Sequence, residues 1–167
     1  MDEFHREGDV LHCEDVPLAD IARGAGTPVY VYSHGALERA YKELDEAFSG
    51  FDHLVCFAVK ANGNLAVLRA LASFGAGADI VSGGELYRTM RAGFDPKKVV
   101  FAGVGKTESE LMAGLGERIL LFNVESAAEL EYLERMASIH GKRARVALRI
   151  NPGVQTGTHE HISTGHE

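Results

Sequence analysis

The sequence lacks the marks of a membrane-bound, secreted or nucleic-acid-binding protein. Its 17 lysines and arginines are outnumbered by 24 acidic side chains, so the formal net charge is −7. Such an acidic balance disfavours nucleic acid as a partner. No apolar run approaches the roughly 20 residues that a membrane-spanning helix needs. The acidic, polar first ten residues are unlike a signal peptide. We therefore expect no nucleic-acid partner and no membrane partner.

Cysteine is nearly absent as well. The two cysteines, Cys13 and Cys56, lie far apart in the sequence and without the close spacing of metal ligands. We interpret both as reduced thiols of a cytoplasmic protein, because disulfides are rare in that compartment. The remaining composition, with 46% hydrophobic and 25% charged residues, is ordinary for a folded globular chain.

The chain also has no proline-rich linker and no low-complexity stretch; short apolar runs alternate with helical patterns instead. Runs rich in β-branched residues recur at intervals of roughly 20 to 27 residues, about the length of one βα unit. They span residues 53–60, 78–81, 99–102, 119–122 and 145–150. A further short strand is predicted over 27–32, and a helix over 35–48.

Three helices are predicted to begin with a capping box. In this motif a hydroxyl and a carboxylate three residues later satisfy the free N–H groups of the first helical turn. The boxes pair Ser82 with Glu85, Thr107 with Glu110, and Ser126 with Glu129. Glycines suited to the left-handed conformation at helix ends follow at Gly75, Gly93 and Gly141. The alternation of strand, cap and helix is typical of a parallel sheet.

This α/β pattern is compatible with two folds, a doubly wound sheet and a (β/α)8 TIM-type barrel. No glycine-rich dinucleotide fingerprint follows the first strand, which disfavours the doubly wound fold. A complete barrel takes about 250 residues, whereas about five βα units are visible here. We therefore expect a partial (β/α)8 barrel, the first half or so of a longer one.

Lys60 is the candidate catalytic residue. Because side chains alternate along a strand, Lys60 would share the barrel interior with Cys56 and Ala58. A lysine at the carboxyl end of a barrel strand lies at the rim where these folds carry out their chemistry. Exclusion of water there favours the neutral amine, which can bond to an aldehyde. The alternative is a lysine that ends the strand and extends into solvent.

Asp79 and Arg149 are the candidate charged residues beside it. Asp79 interrupts an apolar strand, and a carboxylate there is costly unless paired, so it is either a site residue or half of a structural ion pair. Arg149 shares a strand face with Ala147. It would place a cation inside the barrel, near a cofactor or near Asp79, unless it extends to the rim. The three side chains converge only in a barrel.

Two motifs suggest chemistry that the full pattern does not support. Residues 103–107 resemble the end of a phosphate-binding P-loop, but Val100 stands where that loop needs glycine. A tight loop before a helix capped at Thr107 is the simpler interpretation. His159 and His161 suggest a metal, yet no third ligand stands at a suitable spacing. We interpret them as loop histidines and expect no metal.

Six segments, taken in order, resemble the fold-type III pyridoxal-phosphate decarboxylases, whose barrel is like that of alanine racemase. Residues 57–62 are similar to the cofactor-lysine segment of that family. Residues 161–165 are similar to a segment typical of the diaminopimelate decarboxylases. The other segments are 77–86, 99–107, 122–126 and 148–153, and residues 27–32 also fit. The resemblance runs from about Asp9 to Gly165.

The resemblance implies that Lys60 carries pyridoxal 5′-phosphate and that Asp79 and Arg149 line the cofactor pocket. It leaves open what Lys106 and His159 contribute, since the loop that contains Lys106 departs from the family's usual wording.

The resemblance also implies a division of the chain. Residues 1–27 would belong with a C-terminal β-domain, and residues 28–167 would form an incomplete pyridoxal-phosphate-binding barrel. Family members continue for more than twice this length. We therefore expect the chain alone to be inactive and poorly soluble, because an open half-barrel exposes strand edges and apolar surface.

The implied reaction is the decarboxylation of meso-2,6-diaminopimelate to L-lysine, by a lyase that takes an amino acid as substrate and forms a homodimer at full length. Three alternatives stay open at this point. The first is a sister decarboxylase acting on ornithine, arginine or carboxynorspermidine. The second is a non-catalytic relative that binds pyridoxal phosphate. The third is an aldolase-type lysine that works without the cofactor.

Overall fold

The computed structural model describes residues 3–151, which contain two sheets. The first sheet is a short antiparallel meander with order β1-β2-β3. It comprises β1 (Phe4–Glu7), β2 (Val10–Cys13) and β3 (Val16–Pro17), and helix α1 (Leu18–Ala25) follows. The register places His5 opposite His12, and their rings stack with centroids 5.6 Å apart.

The second sheet is parallel and its strands follow one another in chain order, as in a barrel. The strands are β4 (Cys56–Ala58), β5 (Gly77–Ile80), β6 (Val99–Phe101), β7 (Leu121–Val124) and β8 (Val146–Leu148). The helices are α2 (His34–Ala47), α3 (Leu65–Phe74), α4 (Gly83–Ala92), α5 (Glu108–Glu117) and α6 (Ala127–Ile139). The four connections within this sheet each contain one helix. The predicted α/β fold of a partial barrel is confirmed.

The core lies between the parallel sheet and its helices. On the helix side of β5 and β6, the side chains are fully buried: Ala78, Ile80, Val99 and Phe101. They belong to one apolar cluster with leucines from four helices, namely Leu68, Leu86, Leu111 and Leu133. Each buried leucine contributes on the order of 2 kcal/mol relative to exposure. This layer fixes the strands, so that residues of the opposite face and of the strand ends take defined positions.

The predicted helix starts are confirmed, with one difference. Ser82, Thr107 and Ser126 each accept a hydrogen bond from the N–H three residues later. The full reciprocal box forms only between Thr107 and Glu110. At the other two helices the carboxylate instead accepts from the N–H one residue before the cap. The sequence motif fixes the carboxylate's position, and the path of the preceding loop decides which N–H it meets.

The predicted glycines are also found at the helix ends. Gly75 and Gly93 adopt left-handed conformations with φ of +97° and +93°, and Gly141 has φ of +60° just after α6. Helix α5 differs, because Arg118 takes the left-handed position with φ of +57°. Side chains other than glycine adopt this conformation at a cost of about 1 kcal/mol.

One strand prediction is wrong and another is wrong in part. Residues 27–32 form no strand, because no described strand lies beside them to complete a ladder and Pro28 has no N–H to donate. The run 53–60 contains a strand only over Cys56–Ala58, and a single turn of 3-10 helix follows over Val59–Ala61. Lys60 therefore lies just beyond its strand, not within it.

The N-terminal meander is tied to the start of α2. Glu14 Oε1 accepts hydrogen bonds from the Ser33 hydroxyl at 2.7 Å and from the Gly35 N–H at 2.8 Å. These bonds lower the pKa of Glu14, the Gly35 N–H first. The assignment of residues 1–27 to a C-terminal β-domain stays a prediction. Within residues 3–151, no helix has the length and apolar content for a membrane crossing.

Candidate functional site

Lys60 lies at the carboxyl edge, the edge of the parallel sheet at which β4 to β8 end. The turn that carries Lys60 is anchored by Val59, which is 1% exposed, whereas Lys60 itself is exposed. The edge position follows from the order of strand and turn. The direction of the Lys60 side chain does not follow from strand alternation, because Lys60 lies in the 3-10 turn that comes after β4.

Asp79 lies beside Lys60 on the sheet face away from the helices. It is in register with Ala58 of β4 and Val100 of β6. Its Oδ1 atom is buried and has no hydrogen-bond partner among residues 3–151. Burial raises the pKa of the Asp79 carboxyl, and the Lys60 ammonium opposes this by favouring the charged form. The fold thus brings together two of the three predicted site residues.

Cys56 forms part of the same face, two residues before Ala58. Its Sγ lies 4.0 Å from the Lys98 carbonyl oxygen. Burial raises the pKa of the Cys56 thiol, and the Asp79 carboxylate raises it further. The thiol therefore stays protonated and uncharged at neutral pH. Because the thiolate is the reactive form of cysteine, Cys56 is not activated here. Both Cys13 and Cys56 are free thiols, as predicted.

Arg149 does not pair with Asp79. It follows β8, and its backbone N–H donates to the Val124 carbonyl oxygen at 3.0 Å. Its guanidinium lies 3.1 Å from Glu125 Oε2, at the end of the neighbouring strand β7. The Glu125 side chain is 11% exposed and the Arg149 side chain 56% exposed. Of the three positions that the sequence left open for Arg149, the one beside Asp79 is thus not adopted.

Lys106 is a structural residue of the loop after β6. Its side chain is 1% exposed, and its ammonium contacts Glu129 Oε1 at 2.6 Å. The same Nζ donates to the carbonyl oxygens of Gly103 and Asn123, both at 2.7 Å. These three bonds use all three ammonium protons. A phosphate bound to Lys106 would have to displace one of them, which agrees with the rejection of a P-loop here.

Two glutamates fasten the loops that leave β5 and β7 at the carboxyl edge. Glu85 Oε2 accepts from the Val81 N–H at 2.8 Å. Glu129 Oε2 accepts from the Glu125 N–H at 3.0 Å. In both cases a helix residue binds the first residue after the preceding strand, which fixes where the loop starts. Through Glu125, this arrangement also positions Arg149.

A third glutamate joins two helix starts. Glu110 Oε1 accepts from the Gly83 N–H of α4 at 2.7 Å, and its Oε2 accepts from the Thr107 N–H at 2.9 Å. These bonds lower the pKa of Glu110, the Thr107 N–H first and the Gly83 N–H second. The sequence predicted the Thr107 contact but not the one to Gly83, which comes from a helix 27 residues away.

The groups at this edge fit an aldehyde-bearing cofactor. The exposed Lys60 amine can reach such a group from the end of its strand. The buried Asp79 oxygen has a free acceptor position, and an unpaired buried acceptor is a common feature of ligand sites. The described residues contain no cluster of three side chains suited to a metal ion. His159, His161 and the segment 161–165 lie outside the described residues.

Sequence reasoning missed Glu125 and the loop-fastening role of Glu85 and Glu129. For Glu125 the only available signal was its place directly after an apolar run, where the carboxyl ends of neighbouring strands meet. Glu85 and Glu129 were recognised as capping residues, but the target of each carboxylate depends on a loop path that sequence does not show.

Comparisons with known proteins identify relatives over nearly the whole chain. The family model described as "Pyridoxal-dependent decarboxylase, pyridoxal binding domain" matches residues 34–167, a range that includes Lys60, Asp79 and Arg149. The diaminopimelate decarboxylase of Vibrio cholerae serotype O1 is 52% identical over 166 residues, which are 99% of this chain and 40% of that protein.

Solved structures give the same result. A diaminopimelate decarboxylase from M. jannaschii in complex with L-lysine has a TM-score of 0.89 and 38% identity, over 96% of this chain and 38% of that one. The enzyme from Helicobacter pylori, also with L-lysine, has a TM-score of 0.84 and 42% identity over 89% of this chain and 38% of that one. The chain thus spans about two fifths of the length of the relatives that it matches.

Proposed function

Since this chain belongs to the pyridoxal-dependent decarboxylase family, we propose that it forms the cofactor-binding part of a lyase that converts meso-2,6-diaminopimelate to L-lysine. The observation that carries the proposal is the presence, at the carboxyl edge, of the accessible Lys60 amine near the buried Asp79 oxygen that has no hydrogen-bond partner among the described residues. In this fold, that edge is where the chemistry takes place.

The relatives support the choice of substrate. The Vibrio cholerae relative is named a diaminopimelate decarboxylase at 52% identity. Two solved relatives carrying that name were obtained with L-lysine, which is the product of this reaction. The proposed substrate is therefore an amino acid with a carboxylate and an amine on its α-carbon.

The proposed reaction breaks the bond between the α-carbon and the carboxylate, releases carbon dioxide and places a proton on the α-carbon. Pyridoxal 5′-phosphate supplies, when bound, an acceptor for the electron pair of that bond. Lys60 would hold the cofactor through its Nζ, and it would yield that place to the substrate amine. The freed Lys60 amine would then stay beside the reacting carbon, where it could hold a proton.

Asp79 and Arg149 would supply fixed charge around Lys60. The Lys60 ammonium favours the charged form of the Asp79 carboxyl and so opposes the effect of burial on its pKa. Arg149, held by Glu125, presents an exposed guanidinium that can bind an anionic group of the cofactor or substrate. We further propose that the protein acts in the cytoplasm and as a homodimer.

The first test replaces Lys60 by alanine and by arginine in the protein that contains this chain. Reduction of the wild-type protein with borohydride, after incubation with pyridoxal 5′-phosphate, should add the mass of the cofactor to Lys60. Both variants should lose that modification and their visible absorbance. Carbon dioxide release from meso-2,6-diaminopimelate should fall by about 1,000-fold or more.

The matched control is Lys42→Arg, a lysine of α2 that pairs with Glu38 at 2.7 Å away from the edge. It should keep the absorbance and the activity. Faster release of carbon dioxide from ornithine or arginine would assign a sister decarboxylase instead. Modification of Lys60 without release from any of these amino acids would indicate a carrier of the cofactor. An unmodified Lys60 would overturn the proposal.

A further inference from the structure

A second concave site lies at the amino edge of the parallel sheet, where β6, β7 and β8 begin. It is a cleft of about 520 Å³ between the ends of α5 and α6. Its apolar lining includes Leu115, Ile119 and Phe122, each less than 10% exposed. Because all five strands are parallel, this cleft is at the opposite end of the sheet from Lys60.

Cationic side chains surround this cleft although the chain is acidic overall. Among residues 3–151, its lining contains no acidic side chain. It does contain five lysines and arginines: Lys97, Arg118, Lys142, Arg143 and Arg145. Among residues 3–151, none of the five forms an ion pair within 4.0 Å. Five unpaired like charges around one cavity repel one another, so an anion that binds there relieves that repulsion.

The backbone of Arg118 is a separate observation on the same cleft. Arg118 ends α5 in the left-handed conformation with φ of +57°, whereas Gly75 and Gly93 hold the corresponding positions after α3 and α4. Glycine would adopt this conformation without cost. The arginine side chain therefore brings a guanidinium to the cleft at a position where helix termination alone favours glycine.

Helix termination explains only one of the five cations. Carbonyl groups at the end of a helix attract positive charge, so lysines and arginines are common there. Lys142 has this role, because its Nζ donates to the Leu115 carbonyl oxygen at 3.2 Å. The side chains of Lys97, Arg118, Arg143 and Arg145 have no hydrogen-bond partner among the described residues. Their charge is available to a ligand.

We propose that this cleft binds a small organic phosphate. Arginine guanidiniums match the geometry of phosphate oxygens and hold them by paired hydrogen bonds. The volume lies within the range of small-molecule sites, about 300 to 1,000 Å³. The apolar lining favours a ligand with an organic body over inorganic phosphate alone. A concave cleft enclosed by two helix ends suits a compact ligand better than an extended polyanion.

The test is calorimetric titration of the protein that contains this chain, loaded with its cofactor, using ADP, pyrophosphate and adenosine as probes. ADP should bind with one site per chain, pyrophosphate more weakly, and adenosine without measurable heat. Arg118→Gly and Arg145→Gln should each weaken ADP binding by about fivefold, the size expected for one accessible charge. Added salt should weaken binding by screening.

The controls separate a binding role from a structural one. Arg118→Gly suits the left-handed backbone, so its melting temperature should not fall while its affinity for ADP does. Arg91→Gln, an exposed arginine in the last turn of α4, should leave binding within about twofold of wild type. Lys60→Ala should bind ADP as the wild type does, so failure of the proposed decarboxylase function would not affect this result.

Three results would overturn the proposal. The first is ADP binding that the Arg118→Gly and Arg145→Gln double variant retains at full strength. The second is the absence of heat with ADP at low salt. The third is binding only of long polyanions such as RNA, which would indicate a charged surface and not a small-molecule site.

Discussion

At the scale of single residues, Asp79 combines features that folding alone does not favour. Its Oδ1 atom is buried without a partner, and burial raises the pKa of its carboxyl above the ordinary 3.8. Above pH 3.8 the unfolded chain loses this proton while the folded state still holds it, and above the higher folded pKa the folded state carries the charge at a cost. The contribution of Asp79 to stability therefore falls as pH rises from 3.8 through its higher folded value.

Replacement of Asp79 by asparagine should separate stability from function. The variant should unfold at a temperature at least as high as the wild type at neutral pH, because no charge is buried. Its kcat/KM should fall by about tenfold or more, because the site loses the negative charge beside Lys60. Thermal unfolding and carbon dioxide release measure the two effects. The exposed Asp15→Asn serves as the control, and a variant that is both less stable and fully active would contradict the assignment.

Lys106 is the opposite case, a buried charge that is fully satisfied. Lys106→Met should destabilise the fold by about 3 kcal/mol, because it leaves the Glu129 carboxylate buried without its cation. The double variant with Glu129→Gln should recover part of that loss. Urea unfolding measures the free energy of unfolding of the wild type, the single variant and the double variant. A single variant as stable as the wild type would show that the pair adds nothing, which its three short hydrogen bonds make an unexpected result.

At the scale of elements, the helix starts at the carboxyl edge form a linked set. Glu110 binds the N–H groups of both Gly83 and Thr107 and so joins α4 to α5. Because these bonds lower the pKa of Glu110 below its ordinary 4.5, its stabilising effect is complete above that pH. The effect is lost as pH falls through the lower folded value.

Glu110→Gln should therefore destabilise the fold by about 1 kcal/mol at neutral pH, the usual cost of losing a helix cap. The difference between variant and wild type should shrink as the solution is acidified below pH 4.5, and urea unfolding across that range would measure it. Glu117→Gln, at the exposed end of the same helix, should show neither effect. A difference that is constant with pH would mean that the carboxylate charge has no part in the clamp.

These elements also show what sequence can predict. The helix starts at Ser82, Thr107 and Ser126 follow from local hydrogen-bonding chemistry, and the structure confirms them. The prediction of a strand over 27–32 is wrong. A strand needs a hydrogen-bonded partner strand, and a distant part of the sequence must supply it. For the same reason the pairing of Arg149 with Glu125 was out of reach, since it depends on how β8 is placed beside β7. Hydrogen bonds between residues close in sequence can be predicted from the sequence, whereas contacts set by strand register cannot.

At the scale of the whole molecule, the two proposed sites lie at opposite ends of the parallel sheet. The carboxyl edge carries the amine and carboxylates of the proposed cofactor site, and the amino edge carries the cationic cleft. The two edges are joined by strands whose helix side is fully packed. The face opposite the helices and the outer strand β8 are less well covered among residues 3–151. Leu148 and Ile150 are 63% and 81% exposed there.

These exposed surfaces lead to a prediction for the 167-residue chain by itself. An edge strand with accessible apolar side chains can pair with another copy, so the isolated chain should self-associate. Leu148→Lys should reduce that association, because a charge on an edge strand opposes pairing. Sedimentation or light scattering against concentration measures the effect, and Glu131→Lys, on the exposed face of α6, controls for added positive charge.

The isolated chain should also release no carbon dioxide from diaminopimelate, since it spans about two fifths of the length of its relatives. A monodisperse, active chain would show that these residues alone complete the site and would refute the prediction.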